Sequence, residues 1–196
     1  MDTELLIATL VFIVPMCFTP GPNNILCAAH GSKFGVRATL PMIFGMGIGW
    51  SILGVLIGLA TTTLEQHETL LEGLGVVGAV YIAYIGVQVM RSSAVKSEHV
   101  EERFGFRTGF MLQIVNGKAW IHFLVLMSTF GHLFGSGAVA KVMLVLLNLS
   151  FGWPAVITWA AFGSYLRSIF TSDSSGRVLN RVFGLALIGV AIYLVV

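Results

Sequence analysis

Two short stretches of this chain place polar, helix-breaking residues inside long apolar surroundings: Thr19-Pro20-Gly21-Pro22-Asn23-Asn24 and Asn116-Gly117-Lys118-Ala119. Pro20 and Pro22 each remove a backbone N–H and clash with the preceding turn. Gly21 between them admits dihedrals a helix does not use. Groups freed at such a break cannot face lipid, where each unsatisfied one costs several kcal/mol, so they must face protein or a watery cavity. Asn23 and Asn24 add amide donors and acceptors at the start of the following half-helix. The free N–H groups there, with about +0.5 of charge, suit a carboxylate. The competing reading is a kink filled by side-chain hydrogen bonds, with no ligand.

Lys118 is the only lysine or arginine deep inside an apolar stretch. It lies eleven residues beyond Arg107, roughly 16 Å along a helix rising about 1.5 Å per residue. Asn23 lies ten residues before Lys33, a similar depth. A lysine there costs on the order of 3 kcal/mol or more, which favours a partner or a cavity over snorkelling to the interface. No Asp or Glu lies deep in any stretch, so an incoming anion is the natural counter-ion. Lys118 is expected to attract a substrate carboxylate or to gate transport by exchanging a proton. An ammonium on the same substrate would meet freed carbonyls and the Asn23, Asn24 and Asn116 side chains.

Gln113 and His122 flank the second break. His122 is a second candidate for proton coupling, although a lone histidine is more often simply hydrogen-bonded. Asn148, Trp153, Pro154, Thr158 and Trp159 make a later stretch polar, kinked and aromatic, either as cavity wall or as packing. Asn148 and Trp153 join Pro20, Gly21, Pro22, Asn23, Asn24, Asn116 and Lys118 as candidate substrate-binding residues. Tyr81 and Tyr84 are weaker sources of hydroxyls.

The elements that must position these residues are six apolar stretches, Leu5–Ala29, Ala38–Thr63, Leu70–Met90, Phe106–Phe130, Val139–Leu166 and Val178–Val196. A helix needs about 20 residues to cross the hydrocarbon, and all six approach or exceed that. Hydrophobic residues make up 56% of the 196-residue chain, charged residues 10%, and the mean hydropathy is +0.90. Soluble domains carry about 25% charged residues, so a water-exposed globule is a poor fit. The start, Met1-Asp2-Thr3-Glu4, lacks the basic region of a cleavable signal peptide, and the first stretch reads as part of the mature protein. Cys17 and Cys27 imply neither a disulfide framework nor a metal site.

Basic residues alternate between the connections. Lys33 and Arg37 lie in the first, Arg91, Lys96, Arg103 and Arg107 in the third, and Arg167, Arg177 and Arg181 in the fifth, against Lys141 alone in the others. The positive-inside rule then puts loops one, three and five in the cytoplasm and both termini outside. The third loop separates two sets of three helices. Three is odd, so the second set enters from the opposite side, as in an inverted repeat. The expected fold is an all-α membrane protein with six transmembrane helices in a 3+3 inverted repeat, helices one and four being discontinuous. It forms a single domain, with repeats at about 1–91 and 106–196 and a cytoplasmic loop at about 92–105. Each break falls in the first helix of its triplet, and breaks so paired usually frame a transport site. Gly47, Ser51, Gly54 and Gly58, with a Gly45/Gly49 pair, form a small-residue stripe. Its expected use is packing within one protomer, a homodimer seam being the alternative.

Thr19-Pro-Gly-Pro-Asn-Asn24, the following Gly31 and Gly35, the run Gly78-Ala-Val-Tyr-Ile-Ala-Tyr-Ile-Gly86, and Asn116-x-Lys118-Ala119 together resemble the lysine-exporter/homoserine-lactone-resistance (LysE/RhtB) family over nearly the whole chain. The resemblance implies a bacterial inner-membrane exporter of amino acids and their derivatives. The family's second motif is normally Asn-Pro-Lys, and Gly117 stands here in place of the proline. The family's cysteine and O-acetylserine exporters also lack that proline. Leu112-Gln113-x-Val115-Asn116 and Ser128-Thr129-Phe130 look like theirs, which favours a small, neutral substrate such as cysteine, O-acetylserine, threonine or homoserine. The expected partners are an amino-acid substrate and the bilayer, with no nucleic acid, no cofactor and no metal. Export would be secondary-active and by alternating access. Two other classes compete. A divalent-metal exporter would want clustered His, Asp or Cys, and the apolar interior offers only scattered ones. An intramembrane enzyme would have to use Gly135-Ser136-Gly137 and His132, which read as ordinary turn residues.

Overall fold

A computed structural model of the chain describes residues 3–64, 76, 80, 83–91, 104–170 and 172–193. Among them every regular element is α-helical: α1 (Thr3–Phe18), α2 (Pro22–Phe34), α3 (Val36–Leu64), α4 (83–91), α5 (Phe106–Val115), α6 (Gly117–Phe130), α7 (Gly137–Ile169) and α8 (Asp173–Tyr193). The helices α3, over Val36–Thr61, and α7 are each long and apolar enough to cross a membrane. The pairs α1/α2 and α5/α6 each pass as one broken span, bent by 42° and 63°. These four are the first, second, fourth and fifth apolar stretches. The third lies for the most part outside the described residues, as do Tyr81 and residues 92–103 of the loop that separates the expected repeats. The sixth overlaps α8, which begins in the polar run Asp173-Ser-Ser-Gly-Arg177.

Both breaks arise where the sequence places them, by different means. Pro22 occupies the first turn of α2, where its missing N–H is not needed, and Gly21 is extended at the N-cap. At the second break a single non-helical residue, Asn116 (φ −83°, ψ 95°), ends α5 and begins α6. This break has no proline, yet it bends more sharply than the first. Two side-chain hydrogen bonds hold it. The Trp120 indole N–H donates to the freed Ile114 carbonyl at 2.8 Å, and the Asn116 amide is drawn across to Asn23 at 3.3 Å.

The helices pack through glycines at close backbone approaches. Gly31 of α2 lies against the Ala160 carbonyl of α7, and Gly163 of α7 lies against the Ala28 carbonyl of α2. Gly45 and Gly109 form a similar reciprocal pair between α3 and α5, against Phe106 and Met42. The small-residue stripe on α3 is buried within the protomer. Gly47 is covered by Trp153, Gly54 by Phe123 and Val145, and Gly58 by Met127 and Lys141. Ile48, Ile52, Leu56 and Leu59 of the same helix are exposed. An apolar ridge of that kind marks a surface turned to something other than water.

Candidate functional site

The two breaks meet. Asn23 donates to the Gln113 side-chain oxygen at 2.8 Å and Gln113 donates back to Asn23 Oδ1 at 3.1 Å, closing an amide pair between α2 and α5. Asn23 Oδ1 also accepts from Asn116. Lys118 reaches in the opposite sense, from the start of α6 to the end of α1, where Nζ donates to Thr19 Oγ1 at 3.0 Å and to the Thr19 carbonyl at 3.4 Å. Its stem runs over Gly21, where an added Cβ would stand 3.0 Å from Lys118 Cδ and 3.1 Å from Nζ. A side chain at 21 would therefore have to displace the end of the lysine. A neutral side-chain hydrogen bond contributes about 0.5–1.5 kcal/mol. A double-mutant cycle of Asn23→Leu and Gln113→Leu should therefore return a coupling of about 1–2 kcal/mol in denaturant unfolding of the purified protein, against near zero for unconnected sites.

Beside this junction lies a cleft of about 520 Å³, mouth included. Of the nine candidate binding residues, Gly21, Pro22, Asn23, Asn24, Asn116, Lys118 and Trp153 line it. Pro20 breaks the helix but is exposed and outside the lining. Asn148 is fully buried and does not line the cleft. Instead it stands behind the wall. Its Oδ1 accepts the Trp50 indole N–H at 2.7 Å, and its Nδ2 lies 2.7 Å from His122 Nε2. An indole N–H only donates, which fixes the amide and leaves His122 Nε2 as an acceptor without a proton. His122 also stacks on Phe12 and lies against Trp50, each at 5.3 Å between centroids. Asn148→Leu would leave the buried His122 Nε2 unpaired, at about 1–3 kcal/mol, and would release the Trp50 N–H at the cleft wall. The expected result is a lowered unfolding temperature and weakened substrate affinity through a displaced Trp50, both read on one purified variant.

The freed carbonyls of α1 are already engaged. Asn24 Nδ2 donates to the Cys17 and Thr19 carbonyls, each at 2.8 Å, and the Trp159 indole donates to the Phe18 carbonyl at 3.2 Å. Asn24 is therefore the cap of the broken end, and its donors are not directed at a ligand. The N-termini of α2 and α6 carry no side-chain cap, so their partial positive charge remains beside Lys118. Two buried atoms of lining residues have no hydrogen-bond partner, the acceptor Asn116 Oδ1 and the donor Trp153 Nε1. Neither atom has accessible surface on the cleft, and Trp153 Nε1 packs against Gly47 of α3.

A family model for the LysE type translocator matches residues 14–196. The chain belongs to the LysE-type translocator family. It is similar to the cysteine/O-acetylserine efflux protein of Klebsiella pneumoniae subsp. pneumoniae, 30% identical with all of both chains covered. Proteins of the same description from Salmonella choleraesuis and Escherichia coli O139:H28 are 29% and 28% identical over 98% of both chains. No solved structure matches. Membership makes the chain a membrane translocator and not an enzyme. Ser136 and His132 accordingly sit, exposed, in the turn between α6 and α7, with Gly135 and Gly137 at positive φ. Among the described residues no three of His, Cys, Asp and Glu converge.

Other residues of this LysE-type translocator divide between wall and scaffold. Trp50, Met16, Cys17 and Met46 line the cleft, and none carried a sequence signal beyond apolarity. The one available hint for Trp50 was its place one turn beyond Gly47 on the small-residue helix. Gln113, a weak signal in the sequence, is the partner that joins the breaks. Thr158 bonds back to the Pro154 carbonyl, and Tyr84 is 58% exposed, so neither contributes to the cleft.

Proposed function

We propose that this chain exports small, neutral amino acids or their derivatives, of the class of cysteine, O-acetylserine, threonine or homoserine, from the cytoplasm. It does so as a secondary transporter working by alternating access. The observation that carries the reading is the convergence of Lys118, Asn23, Asn24 and Asn116, with two half-helix N-termini that carry no side-chain cap, on one cleft at the crossing of two broken helices. A substrate carboxylate meets Lys118 and the helix N-termini, and its nitrogen meets the asparagine side chains of the two breaks. The descriptions of the relatives, efflux proteins for cysteine and O-acetylserine, support the substrate class.

In this reading the chain forms six spans as a 3+3 inverted repeat in the bacterial inner membrane, with both termini on the outer side. The basic residues of loops one, three and five support that orientation. Lys118 is the proton-exchanging group, released from its substrate when it loses its charge. His122, two hydrogen bonds behind the cleft through Asn148 and Trp50, is the second candidate. The test is counterflow of labelled cysteine, O-acetylserine, threonine and lysine in proteoliposomes. Exchange of one or more of the neutral amino acids, with lysine excluded, is the expected result. No exchange of any of them by folded protein would overturn the proposal.

A further inference from the structure

We infer that Thr19 is the resting partner of Lys118: it holds the lysine while the cleft is empty and gives it up to the substrate carboxylate. Thr19 is thereby a positioning residue that sets the affinity of the cleft and the return of the empty transporter. This role rests on the proposed reading, in which the carboxylate meets Lys118, and adds to it a residue outside the cleft. Lys118 lines the cleft and Thr19 does not. Yet Lys118 Nζ donates to Thr19 Oγ1 at 3.0 Å and to the Thr19 carbonyl at 3.4 Å. The lysine is on the wall, while its bonds go to a residue beyond it.

Neither acceptor is a dedicated counter-ion. Both are neutral and both are shared. The Thr19 carbonyl also accepts from Asn24 Nδ2 at 2.8 Å, and the Thr19 hydroxyl donates to the Met16 carbonyl at 3.3 Å. No lining residue among those described is Asp or Glu. A hydrogen bond between two ionised groups is shorter and stronger than one to a neutral oxygen, so a carboxylate in the cleft draws the lysine from Thr19. The way is open, because Lys118 Cδ and Nζ lie over Gly21, itself a lining residue, at 3.0 and 3.1 Å from where a Cβ would stand. Thr19 follows the last residue of α1, and Lys118 is the second residue of α6. Their bond therefore ties one half of each broken helix to the other, as the Asn23–Gln113 pair ties α2 to α5. Loading the cleft loosens the first tie and leaves the second fastened. Departure of the substrate returns Lys118 to Thr19 and restores it.

Thr19→Val removes the hydroxyl at nearly unchanged shape, and Thr19→Ser retains it. The probe is labelled L-cysteine or O-acetyl-L-serine, whichever the wild-type protein exchanges faster in proteoliposomes. Two processes are measured: exchange against the same amino acid, and net efflux into substrate-free buffer, which alone requires the empty transporter to return. In Thr19→Val the half-saturation concentration of exchange should fall about threefold to tenfold, the worth of one hydrogen bond no longer broken on binding. Net efflux should fall clearly more than exchange, and Thr19→Ser should resemble the wild type in both. If Thr19→Val does not fold, Thr19→Ala is read in the same way. A half-saturation concentration unchanged or raised, or efflux and exchange reduced in equal proportion, is what a merely structural threonine gives and would overturn this inference. Absence of exchange of any neutral amino acid by folded wild-type protein would instead overturn export itself.

Discussion

Replacing Lys118 by methionine is expected to abolish transport, lowering counterflow at least about 100-fold while the protein remains folded and in the membrane. The isostere keeps the stem that runs over Gly21 and removes the charge, so packing at the break is largely retained. What disappears is the bond to Thr19 and the one cation on the cleft wall. A charge at that depth costs on the order of 3 kcal/mol in a lipid-like setting, so its removal should not lower stability and is expected to raise the unfolding temperature slightly. Loss of transport with unchanged or improved stability separates a functional lysine from a structural one. Counterflow and thermal unfolding on the same preparation give both readings.

The second large effect lies away from the cleft. Gly163→Val would drive a branched side chain into the Ala28 carbonyl of α2, a contact that leaves no room even for a Cβ. Backbone cannot move aside as the end of a long side chain does. Overpacking of well-packed sites costs typically about 1–3 kcal/mol and occasionally more, and here α2 would have to lift from α7. The α2–α7 contact also holds the half-helix whose N-terminus faces the cleft, so transport and stability should fall together. Gly189→Ala is the control, since nothing lies within 4 Å of the position its Cβ would take. Recovery of monodisperse protein after a heating series should drop sharply for Gly163→Val and stay unchanged for Gly189→Ala.

The sequence was most legible where local chemistry alone decides structure. Pro20, Gly21 and Pro22 end a helix in any context, and Lys118 stands out because nothing else charged lies so deep. These residues mark the candidate site in the sequence, and the structure draws most of them into one cleft. What was not legible depends on tertiary partners. Asn23 and Asn24 look alike in the sequence, yet one joins the breaks through Gln113 and the other caps the end of α1. Asn148 is visibly polar in an apolar helix, but helical periodicity cannot say whether such a residue faces a cleft or stands behind an indole of its wall. The sharp bend at Asn116 could not be read from the neighbouring glycine, because the bonds that hold it are Trp120 folding back on Ile114 and Asn116 reaching to Asn23. Trp50 reads as one more apolar residue until Asn148 and His122 are placed beside it.

The central claim is that the cleft between the breaks is where the substrate binds, and Cys17 offers a direct probe of it. Cys17 lines the cleft, while Cys27 is fully buried among Met46 and its neighbours. In a Cys27→Ala protein, the rate of Cys17 modification by a small methanethiosulfonate reagent can be followed by mass spectrometry, with and without a transported amino acid that has no thiol. Protection that saturates with the same half-maximal concentration as counterflow, and that vanishes in Lys118→Met, is the predicted result. Modification at an unchanged rate under saturating substrate would contradict the claim and move the binding site elsewhere.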